Sequence, residues 1–582
     1  MIKTIIKSIR EYKTTSILSS VTVTIEVFVE ILIPFCMANL IDRGIEGSNI
    51  SYVNKYGLYL VILSLIQITF GIISGRFASK ASAGFASNLR DDVFDKIQTF
   101  SFLNIDKFSS GSLVSRLTTD ISNIQQAFQM TIRMAVRGVI MLIFSIIAAF
   151  IVSKEIAIIF FIIAPIIGLA FFILTKIAFP LFEKMFRGYD DLNNILSENL
   201  RGIRVVKTFN REKFEEKKFK ILSGFIYGVG LKAERLTALW DPIMNIAMYS
   251  TSVLILYLGA KEIIASGNLS SLGLTTGSLM SLITYSIQIL MSLMMISFVF
   301  VMLIIASTSM KRIIEIFDEK PNICNPINPI YEVNDGSITF NNVSFSYNVH
   351  ANKNVLSNIN LHINQGEMIG IMGSTGSSKS SLVNLIPRLY DVIDGEILVG
   401  NVDVRKYDIK TLRSQIGMVL QKNILFKGTI KSNLEFGKQN LTENEINEAL
   451  KIACCESFIK ENDNKSEIIV EQSGGNFSGG QKQRLCIARA LVKKPKILIF
   501  DDSTSAVDTK TDAKIRESIR SFLPETTKII IAQRISSIKD CDRIIVMEDG
   551  RIVNIGTHNE LLQTSPIYKE TYYLQLESGL TE

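Results

Sequence analysis

Histidine and cysteine are scarce in this sequence. Three His (His350, His362, His558) and six Cys (Cys36, Cys324, Cys454, Cys455, Cys486, Cys541) are spread over 582 residues. The cysteines show neither metal-ligand nor disulfide-framework spacing, which excludes a thiolate metal site and a disulfide scaffold. The adjacent Cys454-Cys455 pair reads, like the others, as reduced and incidental. Large excess charge is also missing. The net charge is +7, and Lys and Arg are scattered between apolar runs, which suits an inner-membrane protein and not a nucleic-acid binder. No small-residue cleavage site follows the basic stretch Met1–Lys13, and the apolar run behind it is too long for a signal h-region, so no cleaved signal peptide is expected.

Apolar residues are plentiful. They make up 47% of the chain, the mean hydropathy is +0.29, and the excess lies in the first 310 or so residues. Six segments approach the ~20 residues needed to cross a bilayer: Ser16–Met37, Tyr56–Ser74, Met134–Val152, Ile156–Thr175, Pro242–Ala260 and Leu279–Ile305. Connections after the first, third and fifth are short. Those after the second and fourth run to dozens of residues. Lys3, Lys7, Arg10 and Lys13, then Arg76 to Arg116, Lys184 to Arg211, and Lys311 with Arg312 all fall on one side of six crossings. That side is therefore expected to be the cytoplasm, with both termini in it. The long connections lack Pro over Ala81–Leu103 and Tyr189–Phe225 and repeat apolar residues at three and four, so the spanning helices are expected to continue into the cytoplasm. Residues 1–312 are read as the membrane domain and 313–334, with Pro321, Pro326 and Pro329, as a linker. Residues 335–582 are read as a soluble α/β domain.

The soluble part carries a set of motifs. Gly373-Ser374-Thr375-Gly376-Ser377-Ser378-Lys379-Ser380 follows the apolar strand Met368–Met372 and precedes a helical stretch from Ser381. Strand, glycine-rich loop and helix in that order form a P-loop, whose amides and helix N-terminus cradle phosphates. Lys379 would reach the β- and γ-phosphates and the Ser380 hydroxyl would meet Mg2+. A second apolar strand, Lys496–Phe500, ends in Asp501, a candidate for the Mg2+ shell, followed by Asp502. The strand Lys528–Ile531 leads to Gln533. Phe477-Ser478-Gly479-Gly480-Gln481 opens another helix whose N-terminus suits a γ-phosphate.

Together with Gln421, Tyr347 and Ser505-Ala506-Val507-Asp508, these motifs stand in the order and spacing of an ATP-binding cassette, and the chain resembles an ABC exporter half-transporter along its whole length. The resemblance implies a six-helix transmembrane domain of ABC exporter type with long cytoplasmic helical extensions, then an α/β P-loop NTPase cassette with a helical subdomain. It implies ATP and Mg2+ as ligands. Tyr347 matches the aromatic that stacks on adenine, Ser381 closes the P-loop, and Ser380, Gln421 and Asp501 match the Mg2+ contacts. Segments near 104–120 and 198–212 resemble the intracellular loops whose short helices dock on cassettes. Phe477, Ser478, Gly479, Gly480 and Gln481 match the signature, which in that family faces the nucleotide of the other subunit. Glu471 resembles the acidic member of a cross-talk loop, with Gln472 where Arg is usual.

Three positions depart from the family pattern. Ser378 replaces the Gly before the lysine. Asp502 stands where the catalytic Glu is usual, and Gln533 where a switch His is usual. A carboxylate one methylene short and an amide that cannot hold a proton resemble the degenerate member of bacterial heterodimeric exporters. The expectation is a subunit that exports hydrophobic or amphipathic compounds, drugs foremost. It would pair with a second half-transporter, contact lipid, and leave hydrolysis mainly to the partner's site. A homodimeric lipid or peptide exporter and a membrane-bound ABC sensor are the alternatives. Glu26 and Glu30, four apart in the first span, either contact a cationic substrate or sit in a wet cleft or bond neighbouring helices. Met291, Met294, Met295 and Met302 with Phe298 and Phe300 line an adaptable cavity or pack between helices.

Overall fold

The computed structural model describes residues 2–268, 273–348, 353–459, 465–502 and 507–577. His350, Ser505 and Ala506 lie outside them. The chain divides into two compact units, Met1–Gln98 with Ser109–Glu319, and Thr99–Phe108 with Lys320–Glu582.

The first unit is helical. Among the described residues, six helices are long and apolar enough to cross a membrane: Arg10–Glu46, Ile50–Gln98, Ser110–Val152, Lys154–Arg201, Glu212–Ala265 and Thr276–Asp318. Each contains one of the six apolar segments and runs beyond it. The helix Ile50–Gln98 has 49 residues, about 74 Å at ~1.5 Å per residue, more than twice the ~30 Å hydrocarbon thickness. Local chemistry sets the ends. Ser153 caps Lys154–Arg201 by accepting from the Ile156 N–H, Thr275 caps Thr276–Asp318 by accepting from the Ser278 N–H, and Gly267 ends the fifth helix at φ 64°.

Without a hydrophobic drive between spans in lipid, close approach and hydrogen bonds must hold them together. Ser19 and Ser74 donate to each other's backbone carbonyls at 3.2 Å. Tyr285 and Ser281 donate from the sixth helix to the carbonyls of Ile31 and Pro34 in the first, at 2.9 and 2.7 Å. The third helix reaches the first through Arg137, which donates to Glu26 and, at 2.7 Å, to Glu30. The Glu26 side chain is only 7% exposed. Of the two readings of these carboxylates, bonding a neighbouring helix is the one the geometry displays. In the sixth helix Met294 packs against buried Phe171, Met244 and Leu290, while Met291, Phe298 and Phe300 are exposed. Towards the charged ends, Arg116 donates to Glu315 at 2.7 Å and Asp120 accepts from Ser309 at 2.7 Å.

The second unit holds two main sheets. β1 (Ile338–Phe345), β2 (Leu356–Ile363), β4 (Asp394–Val399) and β5 (Val402–Asp403) form an antiparallel sheet in the order β2-β1-β4-β5. β3 (Met368–Gly373), β6 (Ile416–Val419), β9 (Ile497–Asp501), β10 (Thr527–Ile531), β11 (Arg543–Glu548) and β12 (Arg551–Gly556) form the other, in the order β12-β11-β3-β10-β9-β6. A short pair, β7 (Gly428–Thr429) with β8 (Ile469–Val470), lies apart. Only β12 runs antiparallel in the six-stranded sheet. Its parallel strands are buried on both faces and therefore read as unbroken apolar runs, such as Ile497–Phe500. Between β6 and β9 the chain forms a helical layer. There Leu434, Ile446, Leu450 and Leu485 share one core.

Residues 99–108 belong to this unit. The helix Phe102–Phe108 packs Phe102 on Tyr390, with ring centroids 6.1 Å apart. Asp106 accepts from the Tyr390 hydroxyl at 3.1 Å, and Asn104 donates to the Lys320 carbonyl at 3.1 Å.

Candidate functional site

Parallel pairing decides which residues meet. Ile531 of β10 is opposite Ile371 of β3 and Asp501 of β9, and Val419 of β6 is opposite Phe500. The carboxyl ends of four strands are thus level, and their loops share one crevice, the usual ligand position in an open α/β sheet. Those loops carry Gly373–Ser381, Gln421, Asp501, Asp502 and Gln533.

The loop after β3 needs unusual backbone. Gly376 has φ 91°. At Gly373 an added Cβ would lie 2.2 Å from the Met547 carbonyl oxygen, so only glycine fits. Ser378 adopts φ 70°, ψ 23°, a left-handed conformation that glycine takes freely. The serine therefore keeps the loop's shape at a cost of about 1 kcal/mol. The helix Lys379–Leu385 begins immediately after it. The Lys379 ammonium donates to the carbonyls of Gly373 and Ser374, both at 2.9 Å, and to Ser377 Oγ at 3.3 Å. Burial pulls its pKa down, and Asp502 and Asp501 pull it back up.

Ser380 Oγ donates to Asp501 Oδ1 at 2.7 Å. Burial pushes the Asp501 carboxyl above its ordinary range, against the Ser380 bond, while the nearby Asp502 charge adds to the rise. A buried carboxylate beside a hydroxyl is a hard oxygen pair that fits Mg2+. Among the described residues no three His, Cys, Asp or Glu cluster as a complete metal cage. Mg2+ takes one or two protein ligands, with phosphate and water completing its shell. Gln421 is exposed, two residues beyond β6.

Asp502 has φ 47°, and its amide donates to the Ile531 carbonyl at 3.0 Å, across to β10. Its carboxylate accepts from Gln533 Nε2 at 3.0 Å. Burial raises its pKa, and Lys379, the Gln533 bond and Arg534 oppose the rise. Two of the three departing positions are therefore in direct contact.

Tyr347 is 40% exposed. Its hydroxyl bonds Ser381 Oγ at 2.9 Å, and its ring meets Phe345 and Tyr390 edge-on at 4.8 and 5.0 Å. Tyr390 was not legible as a site residue. No motif contains it, yet it connects Tyr347 to Asp106.

Ser478 caps the helix Gly479–Leu491 in a capping box. Its Oγ accepts from the Gln481 N–H, and Gln481 Oε1 accepts from the Ser478 N–H. The first-turn amides of Gly479 and Gly480 precede any intrahelical acceptor. Phe477 packs edge-on against Phe458 at 6.1 Å, and the Arg484 guanidinium lies 4.7 Å over the same ring. This turn is thus held by the helical layer and its own box. Glu471 donates its N–H to Asn476, and Gln472 lies in a short turn with Ser473 at φ 56°. Asp508 caps Thr509–Phe522 by accepting from Thr511. His362 bonds Thr339 and Asn364, and His558 bonds Tyr568.

A strand-loop-helix with a lysine, a strand-end aspartate against the loop serine, and six membrane-length helices define a membrane-embedded P-loop ATPase. Residues 16–293 match the ABC transporter transmembrane region family, and residues 356–505 match the ABC transporter family. An uncharacterized ABC transporter ATP-binding protein of Mycobacterium tuberculosis is 34% identical over 567 residues, 97% of this chain and 96% of that protein. An ATP-dependent lipid A-core flippase of Desulfotalea psychrophila is 32% identical over 536 residues, 90% of this chain and 91% of its own. A bacterial Atm1-family ABC exporter, solved with ATP bound, shares the fold with a TM-score of 0.81 over 97% of this chain and 98% of that one, at 24% identity. The chain belongs to the ABC transporter family, as an exporter half-transporter with its membrane region and cassette in one polypeptide. It is a multi-pass membrane protein and an ABC-type transporter ATPase, and its cassette binds ATP.

Proposed function

We propose that this chain is the degenerate-site subunit of a heterodimeric exporter for hydrophobic or amphipathic compounds, with both termini in the cytoplasm. The contact between Asp502 and Gln533 carries the reading. An aspartate is too short to hold an attacking water easily, and its oxygen is already committed to an amide that cannot carry a proton. Loss of a positioned base costs ~10²–10⁴ in rate. The same chain would still grip nucleotide. The loop Gly373–Ser381 and Lys379 take the phosphates, Ser380, Asp501 and Gln421 take Mg2+, and Tyr347 stacks on adenine. The turn Phe477–Gln481 would complete the partner's site. Segments near 104–120 and 198–212 would couple the cassettes to the membrane helices, within a division into 1–312, 313–334 and 335–582. Packing of the helix Phe102–Phe108 on Tyr390 supports the first of these.

A homodimeric lipid exporter is the second reading, favoured by the 32% identity to a protein named a lipid A-core flippase. One ATPase assay separates the two, run on the chain alone and on the chain with a half-transporter encoded beside it. The heterodimer reading expects little turnover by the chain alone. In the pair, changing Gly479 to a bulky acid should nearly abolish hydrolysis, while Asp502→Ala should change it little. Brisk turnover by the chain alone, or equal damage from the two substitutions, would favour the homodimer.

A further inference from the structure

The helix Pro566–Glu577 near the end of the chain reaches the loop that carries Gln533. Gln575 Nε2 donates to the Gln533 carbonyl at 2.8 Å, and Gln575 Oε1 accepts from the Ile535 N–H at 2.8 Å. One primary amide thus grips the backbone on both sides of Arg534, pairing with it as a neighbouring strand would. The two bonds fix the peptide from which the Gln533 side chain projects towards Asp502. The helix is itself anchored. Tyr568 is fully buried, its hydroxyl bonds His558 Nδ1 at 2.7 Å, and the Tyr572 ring packs on His558 at 5.3 Å. Tyr568, Tyr572 and Gln575 lie four and three residues apart, on one face of the helix. A rigid seat therefore holds the fork.

We infer that Gln575 is a positioning residue for the nucleotide site, and that this C-terminal helix sets the aim of Gln533 at the terminal phosphate. The inference rests on the family resemblance, which puts Gln533 at the switch position, and on its side-chain amide, which now donates to Asp502 and can donate to a γ-phosphate when nucleotide is bound. It predicts a specific defect. Without the fork, the Gln533 peptide relaxes and its side chain loses its aim, whereas the P-loop and Tyr347, which grip the rest of the nucleotide, are untouched. Selectivity for a triphosphate over a diphosphate should fall while diphosphate affinity holds.

The test is competition of ADP and of a non-hydrolysable ATP analogue, both with Mg2+, against a fluorescent nucleotide on the full-length chain in nanodiscs. Gln575→Ala should lower the preference for the triphosphate roughly 5-fold, the worth of one neutral hydrogen bond, with ADP affinity and thermal midpoint unchanged. Alanine suits a helix, so this variant should fold. Gln533→Ala should lower the same ratio, and adding Gln575→Ala to it should change nothing further, because the fork then has no side chain to aim. Multiplying effects, an unchanged ratio in Gln575→Ala, or equal loss for both nucleotides would overturn the inference. An unchanged ratio in Gln533→Ala would overturn the reading of Gln533, and the inference with it.

Discussion

Replacement of Arg137 by Ala leaves Glu26 and Glu30 facing each other, four residues apart in the first span, without their cation. The Glu26 side chain is 7% exposed and that of Glu30 19%. Among the described residues the second Glu26 oxygen, Oε2, already has no hydrogen-bond donor. Breaking a buried ion pair from one side typically costs 3–5 kcal/mol, because a charge is left uncompensated, whereas replacing the whole set by neutral groups is often tolerated. At ~2–4 °C per kcal/mol for a large domain, Arg137→Ala should lower the thermal midpoint of the full chain in nanodiscs by about 10 °C. Arg137→Lys should fall between, since an ammonium cannot fork to two carboxylates. The triple change Glu26→Gln, Glu30→Gln, Arg137→Met removes every charge and should recover most of the loss. A shift under about 2 °C for Arg137→Ala would mean that water reaches the carboxylates and solvates them as well as the guanidinium does. The ion cluster would then contribute nothing to holding the first and third helices together.

Tyr347→Ala should weaken ATP binding by about 1–3 kcal/mol, the scale of base stacking on an aromatic ring, while Tyr347→Phe, which loses only the bond to Ser381, should cost a few-fold at most; nucleotide titration checks both. Asp501→Asn should raise the thermal midpoint at neutral pH and abolish the effect of Mg2+ on ATP binding. Burial raises the Asp501 pKa, so the folded state binds the proton more tightly than the unfolded one. The penalty for its charge is then felt above the folded pKa and fades as pH falls through it, and the stabilisation by asparagine should shrink on acidification. Thiol labelling of the native chain at neutral pH should modify exposed Cys324 first and spare Cys541, whose pKa burial pushes up to about 12.

The features legible in the sequence are those encoded locally. Each membrane helix contains a predominantly apolar segment of near bilayer length, and β3, β9 and β10 announce themselves as apolar runs because both faces of the sheet are covered. At position 378 the sequence marked the missing glycine, and the structure supplied the left-handed backbone that Ser378 takes. What local pattern could not reveal are pairings across long loops. Glu26 and Glu30 could be flagged as costly, but nothing near them names Arg137, more than a hundred residues on. Tyr390 sits in no motif, and its role follows from the fold bringing β1 and the helix Phe102–Phe108 to it. Gln575 is one polar residue in a largely exposed helix, and its partners follow from the path of the backbone at Gln533. The contact between Asp502 and Gln533 was half legible: the sequence marked both positions as unusual, and parallel pairing of β9 with β10 made them neighbours.

The short helix Phe102–Phe108 means that the physical seam of the molecule does not follow the order of the gene. A cassette expressed from Lys320 onwards would lack Phe102 and Asp106, so Tyr390 would keep its ring contacts with Phe345 and Tyr347 and lose the one with Phe102 and its carboxylate partner. An isolated soluble half, or a chimera, keeps these contacts only where residues 99–108 accompany it. A cassette exchanged between relatives without that decapeptide would have to meet the recipient's own residues at the positions of Phe102, Asn104 and Asp106.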